Sequence, residues 1–408
     1  MSKCLICENE ITPFISFGKM PIANGFLTRE QFNDEYYCEL KVAHCTKCHM
    51  VQLTELVDKE RMFNDNYAFF ASTSRYMSEH FKILANDITN NFLSSKPFVV
   101  EIGSNDGIML QNFAAKSIPH LGVEPSKNVA DVSIQKGINT ICSFFNLETA
   151  NLIMNDYGQA DVIVGTNVMC HIPYIHSVLE GVSELLKPSG VLIFEDPYMG
   201  DIIRRTSFDQ IYDEHAFYFS ATSVRYLTHL YNMELIDVIP TTTHGGSMRY
   251  IIARKGARTI SQSVSDQIKY EEKIGLHKSE TYDVLASNIA KIKAELLALL
   301  NRLIKDGKRI VGYGATSKST TVTNYCGITP EHVEFISDTT PIKQSKYSPG
   351  AHIPVKDYNA FVSNYPDYAL LFAWNHAKEI MEKEKGFIQS GGKFIVYVDK
   401  VGIVESYE

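Results

Sequence analysis

The sequence predicts an α/β protein of three units: a small metal-nucleated head, a central doubly wound α/β domain, and a second α/β domain reached through a helical connector. Three observations predict it. Two C-x-x-C pairs, "CLIC" and "CTKC", stand near the N-terminus; apolar runs alternate with amphipathic stretches from about residue 75 to 255; and a strand-like run restarts at "KRIVGYGATSKS". A chain of 408 residues also exceeds what one hydrophobic core organises, so several domains are expected on length alone.

Composition narrows the class. Hydrophobic content of 45% and charged content of 21% are those of an ordinary globular chain and exclude a fibre or a disordered polymer. A net charge of −8, with no basic run, argues against nucleic acid or an anionic membrane as partner. No stretch reaches eighteen consecutive apolar residues, and "MSKCLICENE" lacks the basic-then-apolar order of a signal peptide, so a cytoplasmic location is expected.

In the head, residues 1–65, Cys4, Cys7, Cys45 and Cys48 form two thiolate pairs 37 residues apart. In a reducing compartment such pairs favour metal over disulfide, and four thiolates fill a tetrahedral zinc with no open position, which makes the ion structural. The gap is longer than in a compact finger, and a loop is expected to fill it. Cys38, Cys142, Cys170 and Cys326 read as packing residues.

In the central domain, residues 66–257, "FVVEIG", "HLGVEPS", "DVIVGTN", "GVLIFEDP", "ELIDVIP" and "RYIIARK" are the expected strands. The first runs straight into Glu101, Gly103, Asn105, Asp106 and Gly107, where glycine allows a ligand close to the backbone. A dinucleotide fingerprint would be G-x-G-x-x-G. This loop offers acids instead, which suit a cationic, amino-acid-bearing ligand, and Glu124 ends the next strand where a ribose would present its hydroxyls. Together these residues resemble the S-adenosylmethionine loop of class I (Rossmann-like) methyltransferases. That likeness assigns Glu101, Gly103, Asn105 and Gly107 to the methionine part, Glu124 to the ribose and Asn167 to the edge of the site, with Asp106 of the same loop also a cofactor-binding candidate. Phe144 and Phe145 either flank the adenine or pack in the core.

The stretch "IYDEHAFYFS" then packs two acids, an imidazole and aromatic rings into one loop, about fifteen residues past the fifth strand, where a doubly wound sheet builds its ligand crevice. Carbon methylation beside a ketone needs a base, donors for the developing enolate and an in-line methyl. His215 is the candidate base, Glu214 its partner or a substrate acceptor, and Tyr212 with His171 the enolate-side groups. His176 reads as a helix-surface residue.

Residues 258–306 read as a helical connector that ends at Gly307, and 307–408 as the C-terminal α/β domain with strands "VEFISD", "YALLFAW" and "KFIVYVD". In "VGYGATSKS", small residues and Lys318 follow a strand, so backbone N–H groups and an ammonium are suited to a pyrophosphate or another polar part of the ligand. "HGGSMRY", with Arg249, reads either as the mouth of the site or as a structural turn.

Taken in order behind a four-cysteine head, "EIGSNDG", "CHIPY", "FEDPY", "TSFDQIYDEHAFYFS", "HGGSMRY" and "GYGATSKS" resemble the three-domain sugar C-methyltransferases of deoxysugar pathways along essentially the whole chain. The resemblance implies S-adenosylmethionine as methyl donor, a bound zinc in the head, and carbon 3 of a nucleotide-linked (dTDP or GDP) 4-keto-deoxysugar as acceptor. It also implies catalytic roles for Tyr212, Glu214 and His215, with His171 and Tyr67 at the sugar. Two other readings share these residues: methyl transfer to oxygen or nitrogen of a small metabolite, and a non-enzymatic ligand-binding protein with a zinc module.

Overall fold

The computed structural model describes residues 2–58, 62, 71–73 and 75–405. Tyr67, assigned above to the sugar, lies outside these residues. Three main sheets follow one another. The head is a four-stranded antiparallel sheet in the order Phe217–Tyr218, Val51–Leu53, Tyr37–His44, Pro13–Pro21. Its first strand comes from the central domain, directly after the "YDEH" loop. The 37 residues between the thiolate pairs are therefore not a loop: they hold the two longest strands of this sheet and a 3-10 turn, Arg29–Asp34.

The central sheet has seven strands in the order Met233–Thr241, Ser247–Arg254, Leu186–Pro197, Ala160–Thr166, Val99–Ile102, His120–Val123, Thr140–Ile141. The last five named are parallel, and Ser247–Arg254 pairs antiparallel with both its neighbours. Strands such as "VVEI" and "HLGV" are buried along their length because helices cover both faces, which explains their continuous apolar runs. The chain order reverses between Val99–Ile102 and Ala160–Thr166, and the crevice beyond the C-terminal ends of these strands is where such a sheet binds ligands.

The C-terminal sheet has six strands, parallel except for the edge strand Gly402–Val404. Between it and the central domain runs the helix Ser279–Lys305, whose residues Leu285, Ile289, Ile292, Leu296, Leu300 and Leu303 fall at helical spacing and are all buried. Gly307, with φ of +70°, follows its end. This stripe shares one hydrophobic core with Phe17, Met20 and Val42 of the head and with Val311, Ile336 and Leu370 of the C-terminal sheet. The cysteine end of the head belongs to a different core, with Val100, Ile163 and Phe194 of the central sheet.

Candidate active site and thiolate centre

Both C-x-x-C segments fold as the same turn. Glu8 N–H donates to the Cys4 carbonyl and His49 N–H to that of Cys45, and the residue after each second cysteine is left-handed, with φ of 58° at Glu8 and 60° at His49. The turns bring all four sulfurs within 4.8 Å of one another, with 3.5 Å between Cys4 and Cys48 and between Cys7 and Cys45. A tetrahedron of metal–sulfur bonds of about 2.3 Å has edges of roughly 3.8 Å, so the four thiols fit zinc as ligands. The Ile6 N–H points at Cys4 Sγ from 3.4 Å, a donor suited to a thiolate.

A cavity of about 710 Å³ opens where the three units meet. At its central-domain end lie Glu101, Gly103, Asn105, Glu124, Phe144, Phe145 and Asn167. A Cβ at Gly103, where φ is +64°, would stand 2.6 Å from Val168 Cγ2, so only glycine fits there. Glu124 is fixed by the N–H groups of Asn105 (3.0 Å) and Ser126 (2.8 Å). Among the described residues, Glu101 Oε2 and Asn167 Oδ1 are buried acceptors with no donor. Burial, reinforced by Glu124 and Asp106, holds the Glu101 carboxyl well above the usual carboxylate range. Orphaned acceptors in a closed crevice fit a ligand that brings an ammonium and hydroxyls, as S-adenosylmethionine does.

Asp106 and Gly107 stand outside this lining. Asp106 Oδ2 accepts from the Ser72 hydroxyl and pairs with Lys136 at 3.1 Å, which pins residue 72 over the loop, while Asp106 Oδ1 is buried without a hydrogen-bond partner among the described residues. Gly107 is a turn glycine with φ of +78°, packed against Ser133 and Ile138.

At the middle of the cavity the "YDEH" loop is held from three sides. His215 Nδ1 lies 2.8 Å from the Gln210 carbonyl. A carbonyl can only accept, so this nitrogen carries the proton and Nε2 keeps its lone pair. Burial first, with a smaller contribution from the neighbouring His171, His244 and Lys318, holds the imidazole well below its usual pKa, hence neutral. The ring of Tyr212 lies 4.1 Å from that of His215, and that of His171 4.8 Å away. Glu214 Oε1 accepts from Asn24 Nδ2 at 2.6 Å, and Oε2 lies 4.0 Å from His171 Nδ1. Burial and the neighbouring Asp213 push Glu214 up to about 8, and burial alone lowers His171 to about 4. Asp213 turns away and accepts from the Ala23 N–H at 2.9 Å, while Thr321 Oγ1 donates to the Ile211 carbonyl at 2.8 Å.

The far wall belongs to the C-terminal domain. Thr316 caps the helix Ser317–Cys326, and Lys318, buried on its first turn, is lowered to about 8 by burial. Its Nζ donates to the His244 carbonyl and Asn375 Oδ1, each at 3.3 Å, and sits 4.7 Å over Trp374. "HGGSMRY" reaches the cavity through His244 and not through Arg249. Arg249 lies on the sheet face under the helix Arg75–Asn91, its Nε 2.5 Å from Glu195 Oε1 and its guanidinium 3.6 Å from Asp87, so it braces the sheet and stands outside the cavity lining. Lys343, Asn24 and His376 line the cavity without having been singled out in the sequence, because each sits in a turn with no periodicity or motif of its own, and in "HGGSMRY" it was Arg249 and not His244 that the sequence brought forward. His176 is not a free surface residue either: its Nε2 meets the Leu5 carbonyl at 3.0 Å and ties the head to the central domain.

The chain matches three domain families in order: a zinc-binding domain over residues 4–63, a methyltransferase domain over 75–238 and the C-methyltransferase C-terminal domain over 242–399. The C-methyltransferase NovU of Streptomyces niveus is similar at 32% identity over 410 aligned positions, covering 100% of this chain and 97% of that protein. Among solved structures, an S-adenosylmethionine-dependent methyltransferase of Anabaena variabilis aligns at TM-score 0.34 and 15% identity, covering 43% of this chain and 84% of its own. One from Clostridium acetobutylicum aligns at 0.35 and 15%, covering 45% and 94%. Because the likeness to NovU runs from end to end and spans all three domain families, the chain belongs to the S-adenosylmethionine-dependent C-methyltransferases that carry a zinc-binding head.

Proposed function

We propose that the methyl acceptor is carbon 3 of a nucleotide-linked 4-keto-deoxysugar, carried on dTDP or GDP, in the making of a branched deoxysugar. The observation that carries this reading is His215: a neutral imidazole whose Nδ1–H is spent on the Gln210 carbonyl, leaving Nε2 as a base in the same cavity as the Glu101–Glu124 loop. The family's cofactor supplies an electrophilic methyl group on a sulfonium.

Nε2 of His215 takes the proton from carbon 3, the C–H electron pair moves toward the ketone, and its oxygen becomes the enolate oxygen. Tyr212 and His171 stand beside that oxygen, the former as hydroxyl donor, and Glu214 orients the pair. Carbon 3 would then be the nucleophile for the sulfonium methyl that a cofactor held by the Glu101, Gly103 and Glu124 end of the cavity would supply, the neutral sulfide being the leaving group. Lys318 and the N-terminal turn of Ser317–Cys326, with Lys343 nearby, are suited to the diphosphate. Tyr67 retains its expected place at the sugar through the resemblance alone.

The test uses a dTDP-linked 4-keto-6-deoxyhexose in D2O with S-adenosylhomocysteine. Deuterium should enter carbon 3 with the wild-type protein and not with His215→Asn, whose methyl transfer should fall by about 10²–10⁴ while cofactor affinity persists. Exchange that is unchanged in His215→Asn, or that appears at another carbon, overturns the assignment.

A further inference from the structure

We infer that Asn24, contributed by the zinc-binding head, is a positioning residue for the reaction: its amide donates to the Glu214 carboxyl and holds it in place, so the head takes part in building the active site. The inference rests on the role proposed above for Glu214.

Asn24 sits in the turn after the strand Pro13–Pro21 and lines the cavity itself. Its Nδ2 is 2.6 Å from Glu214 Oε1, a short hydrogen bond from a side chain 190 residues away in the chain. The turn is not free to drift. The Ala23 N–H donates to Asp213 Oδ1 at 2.9 Å, and the Ala23 carbonyl accepts from Thr320 Oγ1 at 2.9 Å, so residues 23 and 24 are clamped between the "YDEH" loop and the C-terminal helix.

An amide N–H can only donate, and donation stabilises the ionised carboxylate over the protonated one. The other groups facing Glu214 divide in sign. Asp213 and His215 come from its own loop, Cys170 and His171 from the 3-10 turn Met169–His171, and Lys343 from the turn Pro341–Lys343. Burial and Asp213 favour the proton; Asn24 and Lys343 oppose them. Lys343 is itself engaged by the Ala315 carbonyl at 2.8 Å, which leaves Asn24 as the hydrogen-bond donor on Oε1.

Deleting the Asn24 donor therefore favours the protonated acid, and the Glu214 pKa rises. If the carboxylate is the working form, the acid limb of the rate profile moves to higher pH. The test uses full-length, zinc-loaded protein with 13C-labelled glutamate carboxyls, the Glu214 resonance being assigned by its loss in Glu214→Gln. Asn24→Ala should raise the titration midpoint by about one unit, the size expected from losing one hydrogen bond to a charged group. Asn24→Asp, of the same shape but bringing a second carboxylate, should raise it further. The acid limb of methyl transfer to a dTDP-linked 4-keto-6-deoxyhexose should follow the midpoint, whereas a merely structural role would lower the rate equally at every pH. An unmoved midpoint in both Asn24 variants, with Glu214→Gln inactive, overturns the inference about Asn24 alone. Wild-type methylation by Glu214→Gln overturns the role of Glu214, and the positioning of a catalytic group with it.

Discussion

At the scale of single residues, Glu101 condenses the cofactor chemistry into one side chain. It is buried, has an oxygen without a donor among the described residues and is held above the usual carboxylate range, so in the free protein its ionised form is disfavoured. A bound ammonium reverses that preference, and binding must then release the proton. Affinity for S-adenosylmethionine should strengthen as pH rises through the elevated pKa of Glu101. Glu101→Gln should weaken binding by about tenfold or more, the worth of a hydrogen bond to a charged group, and flatten this pH dependence. Calorimetry of cofactor binding at several pH values checks both. Glu101 was legible from sequence because a strand followed by acid and glycine is a local pattern. Arg249 was ambiguous in the sequence because a strand offers alternate faces, and only the helix Arg75–Asn91 laid over one of them decides which residue lines the cavity.

At the scale of elements, two connections do what no local signal announces. The short strand Phe217–Tyr218 leaves the central domain and pairs with Val51–Leu53, three residues past Cys48, with the Leu53 N–H donating to the Ala216 carbonyl at 3.0 Å. This pairing stretches the loop ahead of it into the cavity. The helix Ser279–Lys305 was readable as a helix from its period, but not as the spine that joins the head to the C-terminal sheet. Leu296, wholly buried on that spine, tests its weight. Leu296→Ala should destabilise the protein by about 2–5 kcal/mol through lost burial and the cavity left behind, measured by denaturant unfolding, with cofactor affinity unchanged because the Glu101–Glu124 loop is remote from that core.

At the scale of the whole molecule, the head is split between two cores, its thiolate end on the central sheet and its β-sheet on the C-terminal side. Gln52 links the two functions: Oε1 accepts from the Leu5 N–H at 3.1 Å and faces Cys4 Sγ, while its backbone pairs with Phe217. Structural zinc in such a place is part of the folding energy. Chelating the metal should lower the thermal transition and abolish methyl transfer. Cofactor binding, followed by calorimetry on the stripped protein, should outlast methyl transfer, since the loop that holds the cofactor is built on the parallel strands. Loss of zinc with full methyl transfer would contradict this coupling.

The sequence by itself determined the elements whose causes are local: thiolate spacing, strand-to-acid-loop transition, the helical period of 279–305, and the cluster of ionisable groups at 212–215. It determined the family as well, through motifs in fixed order. Tertiary structure alone decided which of those groups share a cavity. Asn24, His244 and Lys343 come from turns far apart in the chain, and they reach Glu214, Lys318 and the cofactor loop only because the head, the connector helix and the C-terminal sheet pack on a common core. Periodicity records which face of an element is buried; the partner that buries it is fixed by contacts between distant segments, which leave no local trace.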